Sequence, residues 1–367
     1  MRGMRTVGAI AAVLALVPLT GCGGDDNGSS GPDTLDAKAD LTKQSLTVSI
    51  WDGYSPEDLP ERVEKDLGVP VKIAHHATNE EIMAKLTGGG AGGGSGIDVA
   101  FVSGQYAQAL NEAGLLEPIH ADLVPNLKNL YPEARQLAYD KGNTFSVPYT
   151  WGTTGLCYRT DLVKQPPTSW NDLLKPPAEL KKKVTMMTTE RWLALPALKV
   201  LGHSVNTTSD EELADARTLL LDAKKNLLAY DDTTFGDRLT KGESALAEAW
   251  DGWCPTSDPK IRFTVPKEGS DLWVDTMVVL KSSENKEAAH ALINYILDPE
   301  IHSWAAENIL YKVPNKAAME QVDPKLLRAN APLRTTPADL LKGESIVDVG
   351  EAATKYTRLS TEVAAGS

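Results

Sequence analysis

The sequence predicts an α/β protein in two domains joined by crossing strands, on three observations. The chain has 367 residues, more than one small core needs and a usual size for two domains. From Leu46 onward, short β-branched runs alternate with amphipathic helix patterns, as in mainly parallel sheets covered by helices. The alternation breaks at SVPYTWGTTGLCY (Ser146–Tyr158) and then resumes. A Pro, aromatics and Gly-Thr-Thr-Gly there lead into a new apolar strand, and the inter-domain crossover is placed at that point.

The elements follow in order. LTVSIW is a strand, and PEDLPERVEKDLG a helix closed by Gly68. VPVKIAHH is a second strand. TNEEIMAKLTG is a helix capped by Thr78 or Asn79 ahead of Glu80 and Glu81. IDVAFVS and QYAQALNEAGLL continue the rhythm as strand and helix. Beyond the crossover come a helix PTSWNDLLKP opened by Thr168 or Ser169, a strand KKVTMMT, and a helix ERWLALPALKVLG. DEELADARTLLLDAKKNLLAY reads as one longer helix, SALAEAW and RFTVP as strands, and LWVDTMVVL as a return strand. NKEAAHALINYIL and a helical tail complete the chain. GGGAGGGSG (88–96) lacks the Gly-Lys-Ser/Thr ending of a phosphate loop and lies between a helix and a strand, the wrong order for one. It is expected to be a surface loop.

Composition excludes some classes. The net charge is −13 and the pI about 5.0, which disfavours nucleic acid because phosphate is repelled. MRGMR carries Arg2 and Arg5 ahead of an uncharged apolar run and LTGC, the layout of an export signal over residues 1–21. The apolar run is shorter than the ~20 residues of a spanning helix. LTGC resembles a bacterial lipobox, which implies lipidation at Cys22 and a place on the outer face of the cytoplasmic membrane, at the cell surface or in the periplasm. Residues 22–45 are Gly/Ser/Asp-rich and too polar to fold alone. They are expected to be a flexible tether reaching very roughly 25 Å. Outside the cytoplasm spare thiols usually pair, so a Cys157–Cys254 disulfide is expected, with two buried thiols as the alternative.

One short word occurs twice, as IWDGY (Ile50–Tyr54) and as AWDGW (Ala249–Trp253). Each closes a predicted strand, and in such sheets ligands sit beyond the carboxyl ends of strands. The segments WDGYSPEDLPERVEKDLGVPV, SVPYTWGTTGL, TSWNDLLKP, VPKEGSDLWVDTMVV, NKEAAHALINYILDPE and VPNKAA together resemble the extracellular solute-binding lipoproteins of ABC importers, in the spermidine/putrescine-binding group. The resemblance covers roughly Leu46 to Leu359. It implies a two-lobed periplasmic-binding-protein-like fold (type II) with the ligand in the inter-lobe cleft. Lobe 1 would be 46–148 plus 275–317, and lobe 2 149–274 plus 318–367. It implies a small cationic ligand, a polyamine, passed to ABC permease subunits, with no cofactor, no metal and no catalysis. A monomer is expected.

The resemblance also implies the ligand residues. Trp51 and Tyr54 match the aromatics of the first lobe, Ser103 a hydroxyl at the third strand end, and Trp250 the aromatic of the second lobe. Trp273 and Asp275 match an aromatic and a carboxylate on the return strand. The chain departs from the pattern where acidic residues would fall on Gly53, Thr189 and Trp192, an aromatic on Gln105, and a late Gln on Ile346. A desolvated ammonium needs an anion or several acceptors, while Trp faces cover methylenes and attract cations. The candidate carboxylates are therefore Asp275, Asp52, Asp251 and Glu190. Gln105 joins the candidate set by position. Trp253 is read as core or rim, Trp151 and Trp170 as structural, and Arg191 as a salt-bridge partner. An ω-amino acid such as γ-aminobutyrate is the alternative ligand, with Arg191 as its anion clamp. A glycan-active enzyme with paired carboxylates is the remaining alternative.

Overall fold

The computed structural model describes residues 35–88 and 94–366, all within one compact unit. The export signal, Cys22, most of the tether and the centre of the Gly-rich loop lie outside the described residues. The chain begins with β1 (Leu46–Trp51), α1 (Leu59–Leu67), β2 (Val71–His76), α2 (Asn79–Thr87), β3 (Val99–Ser103), α3 (Gly104–Glu112) and β4 (Leu116–Glu117). Next come β5 (Val147–Gly152), β6 (Thr154–Arg159), α4 (Asn171–Leu174), β7 (Val184–Met186), α5 (Glu190–Leu201), α6 (Asp210–Lys224), β8 (Ala229–Tyr230), α7 (Phe235–Lys241) and β9 (Leu246–Trp250). The last part holds β10 (Ile261–Thr264), β11 (Asp271–Leu280), α8 (Lys286–Ile296), α9 (Pro299–Asn308), α10 (Lys316–Met319), α11 (Pro324–Ala329), α12 (Pro337–Leu340), β12 (Glu344–Ser345) and α13 (Ala353–Ala365).

These strands form two sheets. The first runs β12-β11-β3-β1-β2, with β4 and β5 also on β11, and the second runs β10-β6-β9-β7-β8. In the first, β1, β2 and β3 are parallel and β11 returns antiparallel. Strands β3 and β11 are buried along their whole length, as helix-covered strands are. The tail helix α13 packs on α5 and α6 of the second sheet.

The crossing is abrupt. Strand β5 pairs with β11 in the first sheet, β6 pairs with β9 in the second, and only Thr153 separates them. The expected boundary at 148/149 therefore falls inside a strand, and the chain changes sheets at Thr153. It returns between β10 and β11. Asp271 ties the two crossings together. Its carboxylate accepts the Thr154 N–H at 2.8 Å, the Thr154 hydroxyl at 3.1 Å and the Trp192 indole N–H at 2.9 Å. The Thr153 hydroxyl donates to the Asp271 carbonyl at 2.7 Å.

Four local expectations change. The stretch 210–230 is not one helix: α6 ends at Lys224, and the Leu228 N–H bonds Val184 O at 2.8 Å, leading the chain into β8. Helix α4 is one short turn; Ser169 Oγ accepts the Asn171 N–H at 3.1 Å, and Asp172 accepts the Thr168 and Ser169 N–H groups. Helix α7 is not anticipated by any sequence signal used above. Residues 35–45, expected to be the end of the tether, are docked: Gln44 exchanges hydrogen bonds with Glu287 and the Ala288 N–H at the start of α8, and Leu41 packs on the core.

The disulfide between Cys157 and Cys254 is present, with a Cα–Cα distance of 5.7 Å.

Candidate functional site

The site begins with Asp275 on β11. The antiparallel registers place Ser103 of β3 opposite it on one side and Thr150 of β5 on the other. A bulge between Asp275 and Thr276 in the β5 pairing breaks the ladder at this point, a device that re-aims a side chain. The carboxylate accepts Ser103 Oγ–H at 2.7 Å, Tyr54 Oη–H at 3.1 Å and Thr150 Oγ1–H at 3.4 Å. Asn79 holds Ser103 in place through two bonds of 3.0 Å. Asp275 is 8% exposed. Burial pushes its pKa up, and the hydroxyl donors pull it partly back.

Tyr54 reaches Asp275 because the chain doubles back after β1. Gly53 takes φ +70°, a left-handed conformation that glycine adopts without steric cost, and the Tyr54 N–H returns to Trp51 O at 3.3 Å. An acidic residue in place of Gly53 would strain this turn. Trp51 leans on Tyr54 at 5.2 Å and on His76 at 4.8 Å. Tyr149 donates to the Tyr54 carbonyl at 2.6 Å.

Tyr311 is the residue that sequence reasoning missed. Its ring lies 6.3 Å from Tyr54, 4.6 Å from Trp273 and 6.0 Å from Trp253, stacked on the last with planes 5° apart. The preceding Leu310 holds φ +66°, a strained conformation for a branched side chain. A backbone bond from Trp151 N–H to Lys312 O at 3.1 Å fixes the other flank. The only available cue was an aromatic just ahead of the VPNKAA segment.

The wall on the second sheet is indole-rich. Trp250 ends β9, edge-on to Trp192 at 5.7 Å and to Trp253 at 5.6 Å. Asp251 opens the 3-10 turn Asp251–Trp253 and is 3% exposed. One of its oxygens accepts the Gly252 N–H at 2.8 Å, and the backbone N–H of Thr153 also lies against the carboxylate. Burial pushes its pKa up to about 8. Gly152 and Gly252 permit this packing. A Cβ on Gly152 would lie 2.2 Å from the Trp273 ring and 2.4 Å from Asp251 Oδ1, and one on Gly252 would lie 2.3 Å from the Tyr311 ring.

Not every candidate joins this group. Asp52 is exposed, and its carboxylate makes no hydrogen bond among the described residues. Gln105 is buried in α3, and its side-chain amide makes no hydrogen bond among the described residues. Glu190 is half-buried, with Glu80, Tyr106 and Arg191 as its charged or polar neighbours. Trp151 and Trp170 are fully buried, as structural residues are. Trp253 is 37% exposed, a rim position with one face on Tyr311. Arg191 is not a salt-bridge partner: its guanidinium donates to the carbonyls of Val347 at 3.2 Å and Val205 at 2.8 Å, and lies 4.6 Å over the Tyr356 ring. No carboxylate among the described residues lies within ion-pair distance of it.

The model of bacterial extracellular solute-binding proteins matches residues 60–327. The chain belongs to that family. This solute-binding protein is 30% identical over 320 residues to the spermidine/putrescine-binding periplasmic protein of Salmonella typhimurium, covering 86% of this chain and 90% of the relative. It is 31% identical over 321 residues to the Escherichia coli protein of the same name, covering 86% of this chain and 90% of that one. The solved structure of a spermidine/putrescine ABC transporter protein from Listeria monocytogenes superposes with TM-score 0.77 at 29% identity, covering 87% of this chain and 98% of the other. The two-lobed fold is thereby shown.

Within this solute-binding protein, the departures from the family's acidic pattern have local explanations. Thr189 bonds Asp232 through its hydroxyl at 3.0 Å, Trp192 spends its N–H on Asp271, and Ile346 is buried. Asp271 has its oxygens occupied by donors at the crossing. That leaves Asp275 and Asp251 as the buried carboxylates beside the ring cluster.

Proposed function

We propose that this chain is the receptor of an ABC importer and that it captures a polyamine of the putrescine or spermidine class between its lobes. The observation that carries this reading is the buried Asp275 carboxylate at the foot of a ring cluster made by Trp51, Tyr54, Trp273 and Tyr311. A buried carboxylate without a counter-charge is costly; an ammonium ion supplies that charge and the rings cover the methylenes at ~0.8 kcal/mol each. A cation over an indole face adds roughly 0.5–2 kcal/mol. The relatives named above as polyamine-binding proteins support the same ligand class.

In this reading Asp251 takes the second cationic end, and Trp250 and Trp253 line it. Ser103 and Tyr54 orient Asp275. Glu190, Gln105 and Asp52 stand outside the primary contacts. Lobe 1 is built on the first sheet and lobe 2 on the second, with the hinge at Thr153 and at the return into β11. The ligand selects the closed state, and the permease subunits read it. Cys22 carries the lipid anchor on the outer face of the membrane, and the receptor works as a monomer without catalysis.

The ω-amino acid reading needs an anion clamp. Arg191 spends its terminal nitrogens on the carbonyls of Val347 and Val205 and on the Asn206 side chain, while its buried Nε–H finds no partner among the described residues; that commitment of the guanidinium end favours the polyamine. Calorimetry with putrescine, spermidine, γ-aminobutyrate and maltose on the soluble body tests the proposal. Binding of the amines carrying two or more charges is expected, and binding of maltose alone would refute it.

A further inference from the structure

We propose that the Cys157–Cys254 disulfide is a positioning device for the ligand wall of the second lobe, holding Trp250, Asp251 and Trp253 in their binding arrangement; this rests on the reading of that wall as part of a polyamine site. Cys157 lies on β6, flanked by Ala247 of β9 and Phe263 of β10. From Ala247 the chain runs to Trp250, turns through Asp251–Trp253 and comes back at Cys254, which is bonded to that same Cys157. The segment 247–254 is therefore a small closed ring, tied at one end by the ladder and at the other by the disulfide.

Trp250, Asp251 and Trp253 are carried by this ring. Through Trp250 it is also held by the β6 ladder and by the Trp192 ring; beyond Trp250 the backbone ties are fewer. The Asp251 N–H bonds Thr153 O at 3.0 Å, and the Cys254 N–H bonds Asp251 O at 3.2 Å within the turn itself. Trp253 is 37% exposed, and among the described residues its ring partners are Trp250 and Tyr311. Tyr311 follows α9, and the Trp151–Lys312 bridge holds its segment to β5 of the first sheet. When the lobes part, the Trp253–Tyr311 stack parts with them, and Trp253 is then held by its contact with Trp250 and by the disulfide at the adjoining Cys254. A wall already ordered before the ligand arrives loses less entropy on binding.

The experiment compares the intact protein with Cys157→Ala/Cys254→Ala, each with and without Trp253→Ala. It reads spermidine affinity and amide hydrogen exchange by segment. The account expects the double variant to bind on the order of tenfold more weakly, chiefly through faster dissociation. Exchange should speed up at 250–254 and stay unchanged in β1 and β3. In the Trp253→Ala background, removing the disulfide should cost clearly less affinity. Unchanged affinity, or unchanged exchange at 250–254, would overturn the inference. So would faster exchange across both sheets, since that describes a purely structural bond. Failure of the intact protein to bind any polyamine would instead sink the receptor reading, and the exchange at 250–254 would still decide the positioning role.

Discussion

Tyr311 stacks on Trp253 with ring planes 5° apart and centroids 6.0 Å apart, one ring from the segment bridged to β5 and the other from the turn after β9. Through this pair the rings around Asp275 become continuous with the indoles of the second sheet. Replacing Tyr311 with Ala removes the junction. Polyamine affinity should fall by about 1–2 kcal/mol, as for aromatic contacts at the centre of an interface. Calorimetry checks this; an unchanged Kd would remove Tyr311 from the site.

Gly152 gives a steric test. Any side chain there meets the Trp273 ring at 2.2 Å and Asp251 at 2.4 Å. Gly152→Ala must push the indole aside, at a stability cost of about 1–3 kcal/mol typical of overpacking. A thermal melt and a titration together should show both lower stability and weaker binding. Wild-type values in both would mean that this packing is looser than described.

Asp251 predicts a pH dependence. Its folded pKa is raised from 3.8 to about 8 by burial, so between those values the folded state holds more protons than the unfolded one. Stability from this group is complete below pH 3.8 and is lost as pH rises through about 8. His76 and His302, lowered from 6.5 to about 4 by burial, act in the opposite sense below pH 6.5. The window from pH 6.5 to 8 therefore isolates the carboxylate from both. The empty protein should lose stability across it, by up to about 2 kcal/mol from this group, and Asp251→Asn should lose distinctly less. Equal slopes for the two proteins would contradict the assignment. A cationic ligand favours the ionised form, so its affinity should rise over the same window.

Asp271, where the two crossings meet, makes another prediction. Asp271 is bonded at once to Thr154 and Trp192. Asp271→Ala leaves a buried indole N–H and a buried amide without acceptors, at about 1–3 kcal/mol each. The melting temperature should drop sharply, and a variant as stable as the parent would show that these bonds carry no net weight.

Much of this was legible in the sequence, and the exceptions have physical causes. Trp51, Ser103 and Trp250 close the strands β1, β3 and β9, and Asp275 lies within β11; the resemblance to the solute-binding family is what singles them out. The disulfide followed from two thiols in an exported chain. Tyr311 escaped because it lies in irregular chain between α9 and α10, positioned by the unusual backbone of Leu310, and no periodicity announces that. Helix α7 is short and polar, with Phe235 and Leu239 as its buried side chains. The 210–230 helix was overextended because its last apolar residues serve β8 equally well, and a tertiary bond to Val184 decides between them. Asp271 carries no signal in the sequence, since its role exists only where two distant crossings meet.

The central claim is that Asp275 receives a ligand ammonium. The most direct test is calorimetric titration of spermidine into the parent protein and Asp275→Asn, with folding verified by circular dichroism. The account predicts tight binding by the parent and a loss on the order of 2–5 kcal/mol in the variant, as for a broken buried charge pair. Equal affinity in the two proteins would contradict it.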